Sequence, residues 1–312
     1  MFATLATLTL GLAPTAPAAD TTPAAIHRKE LPAATANLRV RIAPAETLAV
    51  SVTGEGPVIV LLSGPIGSAY TWRHVIPVLA AAGYQVVTID PLGMGRSGRP
   101  RGVNYTLEAQ AERVRATLDT LHVDLAVIAA HGVSGSIAMR LALGHPSRVA
   151  ALVSVEGGPA ERAGSPGIKR ALAFAPLLKL FGGRKLIRGK IRNGLRESSG
   201  DPSWVSEEVV NRYAEGPSTD VGATLSTLGA MADAREPQAL GPRLGSLQPP
   251  LAFLFGGAPH AGGPREEEMV MLREAVPGAA FVRVEAAGHY LQEERPEEVS
   301  RVISDMAARV QR

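Results

Sequence analysis

The chain has 312 residues, 46% of them hydrophobic and 20% charged, enough to bury one large core or one core with an inserted cap. A net charge of only +3 gives no field of the kind that holds nucleic acid, and the absence of cysteine excludes disulfides, a thiol nucleophile and thiolate metal sites. Glycine and proline are frequent but follow no fixed period, which excludes collagen-like and solenoid architectures.

Residues 1–12 are mostly apolar and uncharged, and residues 13–20 add small residues and prolines. This stretch is too short to span a bilayer. It reads as a secretory h-region with cleavage near Ala18 or Ala19, so residues 1–19 are expected to form a signal peptide and the protein to be periplasmic or secreted. No Lys or Arg precedes the apolar run, and an Ala-rich tail is the competing reading. Residues 20–36 read as a linker.

From there, short apolar runs alternate with helical patterns. Residues 38–42 and 47–52 predict an antiparallel start; 57–62, 84–89, 125–130, 149–155, 251–255 and 280–284 predict strands. Helices are expected at 72–82, 107–121, 136–143, 266–275 and 296–310. Strands separated by helices imply a parallel sheet with right-handed crossovers. Residues 158–247 interrupt this rhythm with helices and no strand, the pattern of a cap inserted over the carboxyl edge of the sheet. The first half of that insertion carries Lys169, Arg170, Lys179, Arg184, Lys185, Arg188, Lys190, Arg192 and Arg196 with no intervening acid. A solvated basic face is the preferred reading; weak contact with an anionic membrane surface is the sharper one.

Four segments carry chemistry. Ser63-Gly64-Pro65-Ile66-Gly67 follows the third strand, and Asp90-Pro-Leu-Gly-Met-Gly-Arg-Ser97 follows the fourth. His131-Gly132-Val133-Ser134-Gly135-Ser136 joins a strand to a helix that ends in His145-Pro146. Gly288-His289-Tyr290 precedes a helix opened by Pro296-Glu-Glu. In order and spacing, over most of residues 45–310, they resemble the α/β-hydrolase superfamily, in its cap-bearing epoxide hydrolase, haloalkane dehalogenase and esterase-like branch. The resemblance implies an α/β fold: a mostly parallel eight-stranded sheet flanked by helices, with core segments 37–157 and 248–312 and a helical cap at 158–247.

It also implies site residues, and here the chain departs from the pattern. Counting back from His145-Pro146 puts the nucleophile position on Gly132, which supplies no attacking atom. Ser134 is the nearest hydroxyl; it replaces the nucleophile only if the elbow shifts by two residues, and otherwise Ser134 and Ser136 are helix-capping residues. His131 and Val133 flank the turn. The oxyanion loop of relatives places a backbone N–H where this chain has Pro65, after Gly64, so the donor comes from Ile66, from elsewhere, or is absent. Asp90 reads as a loop brace. His289 matches the catalytic histidine. Relatives that read Gly-x-x-Asp after the next-to-last strand have their acid where this chain has Gly256-Gly-Ala-Pro259, so Glu156, at the end of an earlier strand, is the expected partner of His289. His260 is an additional candidate.

The resemblance thus implies a hydrolase of a small hydrophobic ester, lactone or amide with degenerate machinery. A non-hydrolytic His–Glu general-base enzyme, of lyase or cofactor-free oxygenase type, and a ligand-binding pseudoenzyme remain as alternatives. No cofactor is expected: the seven histidines show no metal-ligand spacing, and no nucleotide-binding loop is present.

Overall fold

A computed structural model describes residues 35–162 and 183–311. Residues 1–34, with the expected signal peptide and nearly all of the linker, lie outside the described residues, as do Lys169, Arg170 and Lys179.

Eight strands form one sheet in the order β1-β2-β4-β3-β5-β6-β7-β8. The edge strand β1 (Thr35–Ala43), which takes up the last residues of the expected linker, pairs antiparallel with β2 (Glu46–Thr53), and β2 pairs antiparallel with β4 (Gln85–Asp90). All later neighbours are parallel: β3 (Val58–Leu62), β5 (Ala126–His131), β6 (Val149–Val155), β7 (Leu251–Gly256) and β8 (Ala280–Val284). The sequence pattern follows from the layering. β2 has one packed face and alternates, whereas β3, β4 and β5 are buried throughout, so they read as continuous apolar runs.

Helices α1 (Val75–Ala81), α2 (Leu107–Thr120), α3 (Ser134–Gly144), and later α7 (Glu266–Ala275), α8 (Leu291–Glu294) and α9 (Pro296–Val310) connect or flank the strands. The helix expected over 72–82 starts late. Pro77 has no N–H to give to the preceding turn, so it fits only near a helix start, and residues Ala69–Trp72 form a separate 3₁₀ turn capped by the Ser68 side chain. The four-residue α8 was not expected.

Between β6 and β7 the described residues contain α4 (Gly183–Glu197), α5 (Glu207–Thr219) and α6 (Val221–Asp233) and no strand. Their packing forms a second apolar cluster, in which Ile191, Leu195, Val209, Val210 and Tyr213 close on Tyr290. Tyr290 follows His289 directly, so the inserted helices are packed against the loop that holds the candidate base.

Candidate active site

Strand β5 ends at His131 and α3 begins at Ser134, leaving Gly132 and Val133 to make the turn. Gly132 has φ +58°, a conformation that costs glycine little and other residues much more. Its N–H donates to the Val155 carbonyl and its carbonyl accepts from the Gly135 N–H, both at 2.9 Å, so the strained turn is held on two sides. A Cβ on Gly132 would lie 3.6 Å from His289 Nε2 and 3.7 Å from Cε1, an ordinary contact. Position 132 therefore faces the imidazole as a nucleophile would, and glycine brings no side chain to it.

His289 lies between β8 and α8. Its N–H donates to the Ser198 carbonyl at 2.7 Å, which pins this loop to the segment after α4. Its Nδ1 meets Glu156 Oε2 at 3.3 Å. Glu156 follows β6 at φ +54° and is 2% exposed. Its Oε1 accepts from the Gly256 N–H, and Oε2 is shared between His289 and His260 Nε2, the latter at 2.9 Å. Burial would raise the pKa of this carboxyl, but the hydrogen bonds from His260, His289 and Gly256 overcome it and hold the value at about 2. Glu156 is thus an anion throughout the neutral range.

His260 Nδ1 donates to the Ala258 carbonyl at 2.8 Å, and its bond to Glu156 raises its pKa against the effect of burial. His131 Nε2 donates to the His289 carbonyl at 2.9 Å. Burial above all, and then the neighbouring His289, lower the His131 pKa to about 3, so this ring is a neutral wall and not a base.

In the loop expected to serve the oxyanion, the Gly67 N–H closes a turn on the Gly64 carbonyl at 3.0 Å, with Pro65 at its second position. Among the described residues nothing accepts from the Ile66 N–H, and Ile66 lines the cavity. Asp90 braces the loop as expected, accepting from Ser63 Oγ at 2.7 Å and from the Arg96 N–H at 2.9 Å, while burial raises its pKa.

Eight of the candidate site residues line one cavity of about 690 Å³: Gly64, Pro65, Ile66, His131, Gly132, Val133, Glu156 and His289. Ser134 does not. It is fully buried, and its Oγ donates to the Ser63 carbonyl at 2.7 Å. The shifted-elbow expectation is corrected on that ground: the hydroxyl is spent inside the packed turn. The capping expectation is corrected too, since Ser136 Oγ donates to the Gly158 carbonyl at 2.6 Å and accepts from the Ala160 N–H at 2.7 Å, joining α3 to the loop after β6.

Sequence reasoning missed Tyr290, whose ring stands edge-on to His289 with centroids 5.2 Å apart, and the Gly262-Gly263 pair in the cavity wall. Adjacency to His289 was the available signal for the tyrosine. It also left out the charged residues of the wall, Glu161, Arg162, Arg265 and Glu268. Among the described residues, a metal ion would find three suitable side chains together only at Glu156, His260 and His289, with donor atoms within 4.8 Å of one another; hydrogen bonds already join them there.

A family model described as alpha/beta hydrolase fold matches residues 57–296. A haloalkane dehalogenase of Mycobacterium marinum is 30% identical over 267 residues, covering 80% of this chain and 84% of the relative. Epoxide hydrolase B of Mycobacterium tuberculosis is 39% identical over 102 residues, 32% of this chain, and the match spans only 29% of that relative's length. Among solved structures, the epoxide hydrolase CorEH without ligand superposes with a TM-score of 0.73 at 22% identity, covering 88% of this chain and 99% of that one, a likeness of fold.

Proposed function

The chain belongs to the α/β-hydrolase family, and on that premise we propose that it hydrolyses a small hydrophobic ester, lactone or amide by letting the His289–Glu156 pair deprotonate water directly, with no covalent intermediate. The observation that carries this reading is the approach of the Gly132 Cβ position to within 3.6 Å of His289 Nε2. In a triad that nitrogen takes the proton of a nucleophilic side chain. Here it faces a glycine, and water is the nucleophile left to activate.

Glu156 accepts the Nδ1 proton of His289, which orients the ring and presents the Nε2 lone pair to the cavity. As water attacks, His289 Nε2 takes its proton and the N–H groups of Val133, first after the elbow, and of Ile66 donate to the developing oxyanion; when that intermediate collapses, the acyl–oxygen or acyl–nitrogen bond breaks and His289 returns the proton to the leaving group. Pro65, Ile66, Val133, Ala160, Pro264 and Tyr290 give the cavity an apolar wall for a hydrophobic acyl group. The names of the relatives add epoxides and haloalkanes to the substrates worth assaying.

The test is a panel of esters, lactones, amides, epoxides and haloalkanes assayed with the parent and with His289→Ala. General-base catalysis is worth on the order of 10²–10⁴ in rate, and a loss of that size with no pre-steady-state burst is expected. A burst of product, or undiminished turnover in His289→Ala, overturns the reading. Product formed without uptake of water moves it to non-hydrolytic base chemistry, and an inactive parent whose Gly132→Ser variant turns over moves it to a pseudoenzyme.

A further inference from the structure

Glu156 Oε2 serves two imidazoles that belong to different sides of the wall. His289 lines the large cavity, whereas His260 lines a neighbouring one of about 230 Å³, and Glu156 and Gly263 stand on both. Both nitrogens of His260 meet oxygens that can only accept: the Ala258 carbonyl at Nδ1, 2.8 Å, and the Glu156 carboxylate at Nε2, 2.9 Å. A neutral ring has one N–H and would set a lone pair against one of these oxygens.

We propose that His260 is the positioning residue of the site: as an imidazolium it fixes Glu156 Oε2 opposite His289 Nδ1 and matches the carboxylate's charge, so that His289 holds Glu156 with one proton and keeps Nε2 free. The role rests on the reading that the His289–Glu156 pair is the working base. A buried carboxylate is costly unless it is paired, and with His260 absent the whole demand of Glu156 would fall on His289 and the Gly256 N–H. Charge supplied from behind the wall leaves the cavity side of the pair free for substrate.

The packing is built around this contact. A Cβ on Gly263 would stand 2.7 Å from Glu156 Oε2 and 3.0 Å from His260 Nε2, so only glycine lets the loop close over the bond. Among the charged groups around His260, Glu156 acts first in favour of its proton and Glu294 adds to it; Glu266 lines the same small cavity, Arg273 and Arg283 line it as opposing cations, and the His289 ring lies 6.2 Å away, centroid to centroid.

Ring-nitrogen NMR of the histidines, with carboxyl NMR of Glu156, tests this without any assay of turnover. Two protonated nitrogens are expected on His260 at pH 7, with a midpoint above the ordinary 6.5. In His260→Gln, which keeps N–H donors but carries no charge, the Glu156 midpoint is expected to climb from about 2 by about one pH unit or more. In the active protein kcat falls on the alkaline side with the His260 midpoint, and that limb disappears in His260→Gln while KM holds. A singly protonated His260 at pH 7, or a Glu156 midpoint unmoved in the variant, overturns the proposal. Should His260→Gln not fold, the ring-nitrogen measurement on the unaltered protein decides alone. A protonated His260 in a protein without turnover strikes the hydrolase reading and not this one; turnover with a neutral His260 does the reverse.

Discussion

Ser134 gives its hydroxyl proton to the carbonyl of Ser63 at 2.7 Å, and that bond ties the elbow to the loop that carries Pro65. A serine two residues beyond Gly132 is therefore part of the scaffold. Ser134→Ala leaves the buried Ser63 carbonyl short of a donor, and a loss of about 1–3 kcal/mol in unfolding free energy is expected by denaturant titration. Turnover per folded molecule stays within a few-fold of the parent, and a fluorophosphonate probe does not label residue 134. Labelling there would reinstate it as a nucleophile.

Gly132→Ser has room for its Cβ but not for its backbone. The +58° φ costs a non-glycine residue roughly 1–2 kcal/mol, while the contact with His289 is an ordinary one. The variant should be less stable by about that amount and should gain fluorophosphonate reactivity at position 132. Adding His289→Ala should abolish the label; a label that survives would mean that the imidazole does not serve this position.

Pro65→Ala restores an N–H to the oxyanion loop. An oxyanion donor is worth on the order of 10²–10³ in kcat, so a rise of about tenfold or more in kcat with little change in KM is expected. The turn closed by the Gly67 N–H on the Gly64 carbonyl loses its proline at the second position, which lowers stability by about 0.4–1 kcal/mol. Unchanged kcat would place the oxyanion away from residue 65.

The Glu156 hydrogen bonds predict how stability follows pH. The folded-state pKa of Glu156, about 2, lies below the ordinary 4.5, so its contribution is full above 4.5 and is lost as pH falls through about 2. That of His260 is raised, so its contribution is full below 6.5 and is lost as pH rises through the raised value. The stability advantage of the parent over Glu156→Gln should be widest between about pH 4.5 and 6.5 and narrow on both sides. Asp90 and Glu293, whose burial raises their pKa values, are common to both proteins and cancel. A difference that is flat with pH would remove the charge from the account.

The sheet was legible because buried parallel strands must be apolar along their whole length, as β3 and β5 are. Glu156 and His289 were legible as neighbours because Glu156 directly follows β6 and His289 lies on the loop after β8, both at the carboxyl edge of the sheet and each beside a glycine. What spacing along the chain does not encode is the direction of a side chain within a turn. Ser134 sits two residues from the elbow and is aimed into the protein, whereas His260, at a position that usually follows the acid, reaches the carboxylate through a loop conformation set by Gly262 and Gly263. The charged wall residues Arg162, in the loop after β6, and Glu268, in the first turn of α7, reach the cavity only through tertiary packing.

The bonds at Glu156 join residues 133 and 104 positions apart in the chain, His289 and His260. Seen from the ribosome, this is a site that closes last. A nascent chain ending before residue 280 would have seven of the eight strands and the elbow, but Glu156 would lack one of its two rings and β7 its outer neighbour. Until the last strand and the loop after it arrive, the apolar edge of β7 is open to pairing with other chains, and non-local contacts of this kind form slowly. Synthesis of the intact protein should therefore depend on its C-terminal segment far more than the position of Gly132 would suggest, and truncations there should appear as aggregation before they appear as lost catalysis.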